Sequence, residues 1–530
     1  MTTGDRLRTM GREPVDAPAS DIRPLTTNLK PLAIFLLAFG LRLIALNTRP
    51  LWYDEAFAVL FAEKGFRAML TGTLTPVSGA AADVHPVAYY TLLNGWMQVF
   101  GQSPFAVRIL SVFAGLITVA VIYAVGHRLF GKRAGAVGML VAASSPLQVY
   151  YAQEARMYAA MGLASGLTIL FFVRAVSNDG RSRNWGNWAG VAVSAAAAMY
   201  MHNLSAFFLL ALGLSVLPRP KVFLKVAAAG AGAFVLWLPW FLNVPGQFAK
   251  LRQAYWVTRP DFVTLLQTAL VYHAGEELMA ARVWLMLALF TAVILPIMFL
   301  FQLLKLRKES ETRRAAWLAA LAGGTPLLLF VASLYQPVYI QRALLPAALM
   351  YAAALGWMFA RGTSIAATNC SYGMPGLIRG LLAVLFGLTT LVGLRAHYTF
   401  TQFPRPNFPA VVAFLEQNTQ AGDVIVHSNK LTFFPMHYLD RTLPQVFLAD
   451  TPGSGSDTLA LPTQDALGLH AVIDPQTAVN GAERVWFVIF DKAVDEYRPA
   501  EHPHLAWLYA HYSVRGVWHV DDLAIYEFVR

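Results

Sequence analysis

The sequence predicts a polytopic α-helical membrane protein with about 11 transmembrane helices, followed by a C-terminal soluble α/β domain outside the cytoplasm. Three observations predict it. Apolar runs of roughly 17–22 residues, enough to cross a ~30 Å hydrocarbon core, recur from residue 31 to residue 395. Of the 530 residues 57% are hydrophobic and only 13% charged, with mean hydropathy +0.49, where ordinary soluble domains carry about twice that charge. Beyond His397 the chain turns to short alternating segments separated by Gly, Ser and Pro.

Residues 1–30 are polar, with Pro14, Pro18, Pro24 and mixed charge, and read as a disordered cytoplasmic tail. The apolar run that follows is longer than a signal-peptide core and has no Ala-x-Ala-like cleavage site, so it reads as a retained span. The predicted spans lie at about 31–47, 105–126, 135–150, 157–175, 186–202, 204–218, 222–242, 282–304, 314–334, 342–360 and 376–395. Basic clusters fix their orientation. Arg128, Lys132 and Arg133 fall in one alternate gap, and Arg174, Arg181 and Arg183 in the next. Arg219, Lys221 and Lys225 fill another, and Lys305, Arg307, Lys308, Arg313 and Arg314 another. All are cytoplasmic if the N-terminus is. An odd number of spans then leaves the C-terminus outside.

Pro86–Gln98 is apolar but short, and counting it as a span would reverse every later loop. It is expected to be an amphipathic helix on the outer interface, with Tyr89, Tyr90 and Trp96 at headgroup level. The first outer loop then runs from 48 to 104 within a membrane domain of residues 31–395. A second outer segment, 243–281, holds Tyr255, Trp256, His273, Glu276 and Glu277. In the outer domain, 396–530, Asn407–Gln417 reads as a helix, and Asp423–His427, Arg484–Phe490 and Leu523–Phe528 as strands. Its His427, His437 and Asp440 read as ordinary surface.

The net charge of +11 does not indicate nucleic acid, because the bases sit in short clusters between apolar runs. The single cysteine, Cys370, excludes an internal disulfide and a cysteine metal cage. The absence of an endoplasmic-reticulum retrieval signal and the Ala-rich texture lean toward a bacterial inner membrane.

This topology collects one group of polar residues on the outer side: Asp54 and Glu55, His85, Glu154 and Arg156, His202, and Tyr339 and Arg342. Adjacent carboxylates at the mouth of a membrane helix are costly unless their charge is used. A carboxylate can act as general base toward an acceptor hydroxyl. Arginines can clamp a departing phosphate and stabilise its charge. Histidine can orient an acceptor, shuttle a proton or ligate a metal. These residues suit transfer of a group from a phosphorylated lipid, whose tail would stay in the bilayer.

The run Leu51–Glu55, then His85-Pro86, Phe100–Arg108, Leu129–Arg133 and Ser145-Pro146 with Glu154-Ala-Arg156 resembles the GT-C membrane glycosyltransferases. The branch it resembles is that of the protein O-mannosyltransferases and aminoarabinose transferases, over residues 30–360. The resemblance implies an inverting glycosyltransferase that moves a monosaccharide from a polyprenyl-phosphate donor to a lipid, glycan or protein acceptor. It maps the catalytic base onto Asp54, with Glu55 positioning the acceptor or a cation. Arg108 matches an arginine that matters in the O-mannosyltransferases, and Arg156, Arg342 and Arg108 are the candidates for the donor phosphate. His85, Glu154, His202 and Tyr339 are the remaining substrate-site candidates. Family members often have His-Pro-Pro or Lys-Pro-Pro where this chain has His85-Pro86-Val87, so the histidine is kept and the second proline is absent. The branch is divided over metal use; Asp54, Glu55, His85 and His202 are available to a divalent cation but show no metal-specific spacing.

Each residue also has a plainer reading. Asp54 and Glu55 could supply N-terminal charge to a short helix over Ala56–Lys64, and Glu154 and Arg156 could form a structural ion pair. Arg108 and Arg342 could be helix-end residues reaching for the interface, and His202 a hydrogen-bonded structural histidine. A flippase for a lipid-linked glycan would show charged or broken helices at mid-membrane, usually in repeated halves, and the sequence has neither. A scaffold presenting its C-terminal domain would leave the one-sided cluster without a reason.

Overall fold

The computed structural model describes residues 29–177, 184–253, 257–280, 282–360, 374–450 and 457–530. The predicted tail as far as residue 28, Arg181, Arg183, Tyr255, Trp256 and Cys370 lie outside them. Every predicted span contains helix. Seven helices among the described residues are long and apolar enough to cross a membrane by length and composition: Pro104–Phe130, Tyr158–Ser177, Pro220–Phe241, Trp284–Lys305, Ser310–Tyr335, Gln341–Ala360 and Gly376–Thr399. The other four predicted spans are the shorter helices Leu29–Leu43, Lys132–Ser144, Trp185–Met201 and Ser205–Ser215. The long helices leave large apolar side chains exposed, among them Val235, Phe290, Ile297 and Leu391. Such a surface would be a liability in water and suits contact with lipid.

Small residues let the central helices approach closely. Lys132–Ser144 lies against the helix Leu345–Ala360, where a Cβ on Gly356 would sit 2.5 Å from the Ala134 carbonyl and 2.9 Å from Gly138 Cα. At the basic end, Arg314 donates to the Leu129 carbonyl at 2.9 Å and Trp317 to Ser215 at 2.9 Å. The basic clusters near residues 130, 219 and 313 therefore share one end of the bundle.

At the opposite end the chain breaks its helices. Ser145 caps the next segment by accepting from the Gln148 amide, and Pro146 stands at its first position, where a missing N–H costs nothing. The predicted span at 135–150 is thereby split, and a second short helix, Pro146–Ala152, carries Tyr150 and Tyr151 to the rim. Residues 153–157 then leave helical geometry before Tyr158–Ser177 begins.

The apolar segment after residue 86 is the helix Ala88–Phe100. Its tyrosines do not face outward. Tyr89 and Tyr90 are fully buried, Tyr89 bonding Ser111 at 3.1 Å and Tyr90 receiving Arg156 at 3.0 Å. Two hydroxyls with polar partners inside the protein take the place of two at an interface.

The C-terminal region forms a five-stranded sheet in the order Gln445–Phe447, Val424–His427, Arg484–Phe490, Leu523–Val529, Ser513–Val520. The first three strands are parallel and the last two join antiparallel. All three predicted strands are present, and the predicted helix is Phe408–Asn418. His427 is not surface: it is fully buried, bonding Thr432 and Gln445. The domain docks onto the first loop. Tyr438 donates to the Gln102 carbonyl at 2.6 Å, Thr463 to Gly72 at 2.7 Å, and Arg441 pairs with Glu63 at 2.8 Å.

Candidate active site

Asp54 and Glu55 open the helix Tyr53–Ala62. Neighbours on a helix point about 100° apart, and the two carboxylates go different ways. Glu55 turns inward and is fully buried. Its oxygens receive Arg108 Nε at 2.8 Å and Nη2 at 2.7 Å, Arg405 Nη1 at 2.6 Å and the Ala155 amide at 2.9 Å. Burial alone would raise its pKa, but the two guanidiniums outweigh that and hold it at about 2.

Asp54 turns to open space. Its Oδ2 takes Arg342 Nη1 at 3.1 Å and lies 3.8 Å from Arg156 Nη2. Burial opposes its ionisation, yet Arg156, Arg342 and His85 together keep its pKa below the usual carboxylate range. Asp54 lines two cavities. The larger, about 690 Å³, is walled by Trp52, Tyr150, Tyr151, Glu154 and Arg342 on the membrane domain, and by Phe403, Lys430, Phe490 and His502 on the C-terminal side. The smaller, about 150 Å³, is lined by Asp83, His85, Tyr90, Arg156, Lys250, Arg342 and Lys430. Arg342 borders both.

The other expected residues divide accordingly. Glu154 borders the large cavity. Its Oε1 receives Trp52 Nε1 at 3.0 Å and Arg405 at 2.6 Å, while Oε2 has no hydrogen-bond partner among the described residues. Burial is the largest influence on it, and although Arg405 opposes, its pKa is raised to about 7. His85 borders the small cavity and bonds Asp83 at 3.1 Å. Arg156 is buried between Asp54 and Tyr90.

Four expected residues face elsewhere. Glu55 lines neither cavity, because its lone pairs are spent on Arg108, Arg405 and a backbone amide. Arg108 uses all five donors internally, on Glu55 and the carbonyls of Leu46, Arg49 and Pro50, which leaves none for a phosphate. His202 ends its helix with Nδ1 accepting the Leu204 amide at 3.1 Å, behind His85. Tyr339 bonds Thr268 and is buried. Glu55 and Arg108 therefore pair with each other behind the cavity walls rather than on them. The same placement separates the four residues available to a divalent cation, since Glu55 and the His202 Nδ1 point away from the cavities. No group of three or more His, Cys, Asp or Glu among the described residues could hold a metal ion.

Arg405 was not expected. It is buried, bridges Glu55 and Glu154, and lies over the rings of Trp52 and Tyr150 at 5.5 and 5.3 Å. It sits just past the last span in Phe403-Pro-Arg-Pro406, and an arginine between two prolines was the available signal. Lys430 was also missed, because it comes from the domain read as an appendage.

Residues 84–242 match the family model for dolichyl-phosphate-mannose-protein mannosyltransferases. The fold is that of the ArnT structures from Cupriavidus metallidurans. The apo form matches with a TM-score of 0.61 at 14% identity, over 95% of this chain and 98% of that one. The form bound to undecaprenyl phosphate matches with a TM-score of 0.59 at 14% identity, over 94% and 98%. No curated protein sequence matches.

Proposed function

We propose that this chain, a multi-pass membrane protein with the GT-C fold, is an inverting glycosyltransferase that takes a monosaccharide from a polyprenyl-phosphate donor. The single observation that carries the reading is Asp54, an ionised carboxylate held by two arginines where two cavities meet. The similarity to a structure whose ligand is undecaprenyl phosphate supports a lipid-phosphate donor, and the family match over residues 84–242 supports sugar transfer.

The geometry suits one displacement. An acceptor hydroxyl gives its proton to Asp54 as its oxygen attacks the anomeric carbon. The bond from that carbon to the phosphate oxygen breaks, and the polyprenyl phosphate leaves with the electron pair. Arg156 and Arg342 face the charge that develops there. They also answer a difficulty, because a carboxylate tied to two arginines is a weak base. A phosphate entering the site competes for the same guanidiniums, so donor binding frees Asp54 to accept a proton. The reaction would occur at the extracytoplasmic face of a plasma membrane, in bacteria the inner one, with the N-terminus cytoplasmic and the C-terminal domain outside. The basic clusters gathered at the far end of the bundle support that orientation.

The test is a panel of radiolabelled polyprenyl-phosphate sugars presented to purified protein in lipid. Release or transfer of one sugar is expected. Movement of intact labelled lipid across the bilayer with no sugar released would replace this reading with a flippase.

A further inference from the structure

Lys430 stands second in the segment Asn429-Lys430-Leu431, where the Asn429 side chain accepts the Leu431 amide and caps the helix Lys430–Leu439. That cap fixes the lysine at the face of the C-terminal domain that meets the first loop. The side chain is 7% exposed, an unusual fate for a lysine. Its ammonium lies 5.6 Å from the centre of the Tyr53 ring, beside Asp54, and it borders both cavities. It donates to the Asp457 carbonyl and lies 3.6 Å from the Asp457 carboxylate. The same carboxylate receives Lys250 at 3.4 Å from the helix Val244–Gln253. Two lysines from distant parts of the chain thus converge on one acid, whose side chain is 41% exposed.

An acid exposed to that degree keeps much of its hydration, which weakens its hold on the two lysines. The wall of the small cavity carries four permanent cations, Arg156, Lys250, Arg342 and Lys430, against Asp54, Asp83 and Asp457. Asp83 is engaged by His85 and Asp54 by the arginines. Asp457 is the acid that an incoming anion can displace at least cost, and the two lysines are what it would leave behind.

We propose that Lys430, supplied by the C-terminal domain, is a phosphate-binding residue of this site, and that Asp457 holds it in the free protein as a substitute for the phosphate charge. The proposal rests on the glycosyltransferase reading, and the phosphate is that of the donor lipid. The C-terminal domain then completes the donor site rather than merely covering it. Asp457 and the incoming phosphate are rivals for one ammonium, so removing one member or the other changes affinity in opposite directions.

The experiment measures binding to the full chain in lipid nanodiscs. The probes are undecaprenyl phosphate, undecaprenol and inorganic phosphate, and the proteins are wild type, Lys430→Met and Asp457→Asn. Lys430→Met is expected to weaken undecaprenyl phosphate about 10- to 100-fold, the worth of a charge-assisted hydrogen bond. Asp457→Asn keeps the backbone carbonyl that positions the ammonium but removes the competing charge, and is expected to tighten binding several-fold. Neither should alter undecaprenol. Unchanged affinity in Lys430→Met overturns the proposal and leaves the glycosyltransferase reading standing. So does an effect on inorganic phosphate alone, which would assign the lysine to another phosphate. If Lys430→Met does not fold, Asp457→Asn decides by sign, and equal or weaker binding overturns the proposal. Failure of wild type to bind undecaprenyl phosphate removes the glycosyltransferase reading and this proposal with it.

Discussion

Replacing Glu55 by Gln should injure stability, while the same isosteric change one residue earlier should injure turnover. Glu55 is fully buried and accepts four hydrogen bonds, three of them from Arg108 and Arg405. Glutamine keeps the shape but removes the charge and one acceptor. Arg108 is left without any carboxylate, and Arg405 with Glu154 alone. Breaking a buried pair by neutralising one partner costs about 3–5 kcal/mol, because the cations stay buried. A second effect follows from the same contacts. The Glu55 charge helps raise Glu154, so its removal should lower the Glu154 pKa. The assay is thermal unfolding of detergent-solubilised protein followed by tryptophan fluorescence, with activity normalised to the folded fraction. The account predicts a lower unfolding midpoint and near-normal activity per folded molecule. A Glu55→Gln protein as stable as wild type but inactive would refute the supporting role and return Glu55 to the chemistry.

Other outcomes follow from the same geometry. Glu154 has a pKa of about 7 folded against 4.5 in its ordinary state. The folded protein thus holds this proton more tightly, and stability should fall as pH rises from about 4.5 to about 7 and then level off. Glu154→Gln should flatten that part of a midpoint-against-pH curve, and an unchanged slope would contradict the assignment. Arg405→Met should cost about 3–5 kcal/mol and make the chain between residues 400 and 407 easier to cleave in limited proteolysis. Arg405→Lys should not restore it, because one ammonium does not reproduce a fork that reaches two carboxylates. Gly356→Ala should destabilise by about 1–3 kcal/mol through overpacking, read as a lower midpoint with normal donor affinity, since its new methyl would meet the backbone of Ala134 and Gly138.

Much of the architecture was legible because lipid imposes a simple rule on sequence. Every predicted span contains helix, and the strands at Val424, Arg484 and Leu523 announced themselves by β-branched and aromatic runs. Short breaks were less visible. Ser145-Pro146 splits what hydropathy reads as one span, because hydropathy does not register a cap. The site was half legible. Charged residues near spans could be collected by topology, which found Asp54, Arg156 and Arg342, but topology does not say which way a side chain points. Glu55 and Arg108 pair with each other across 53 positions of sequence, and no spacing rule links them. Arg405 and Lys430 reach the site from a domain that the sequence presented as a separate appendage. The docking contacts that bring them there, such as Thr463 on Gly72 and Tyr438 on Gln102, involve single residues with no local pattern.

The central claim is that the Asp54 carboxylate takes the proton from the acceptor. Its most direct test compares wild type with Asp54→Asn in one preparation, measuring both donor binding and sugar transfer from the radiolabelled donor that wild type uses. Loss of a positioned general base is expected to slow transfer about a hundred- to ten-thousand-fold, with donor affinity retained or increased because Arg156 and Arg342 are released. Transfer by Asp54→Asn at the wild-type rate would contradict the claim and leave the carboxylate as no more than a partner for two arginines.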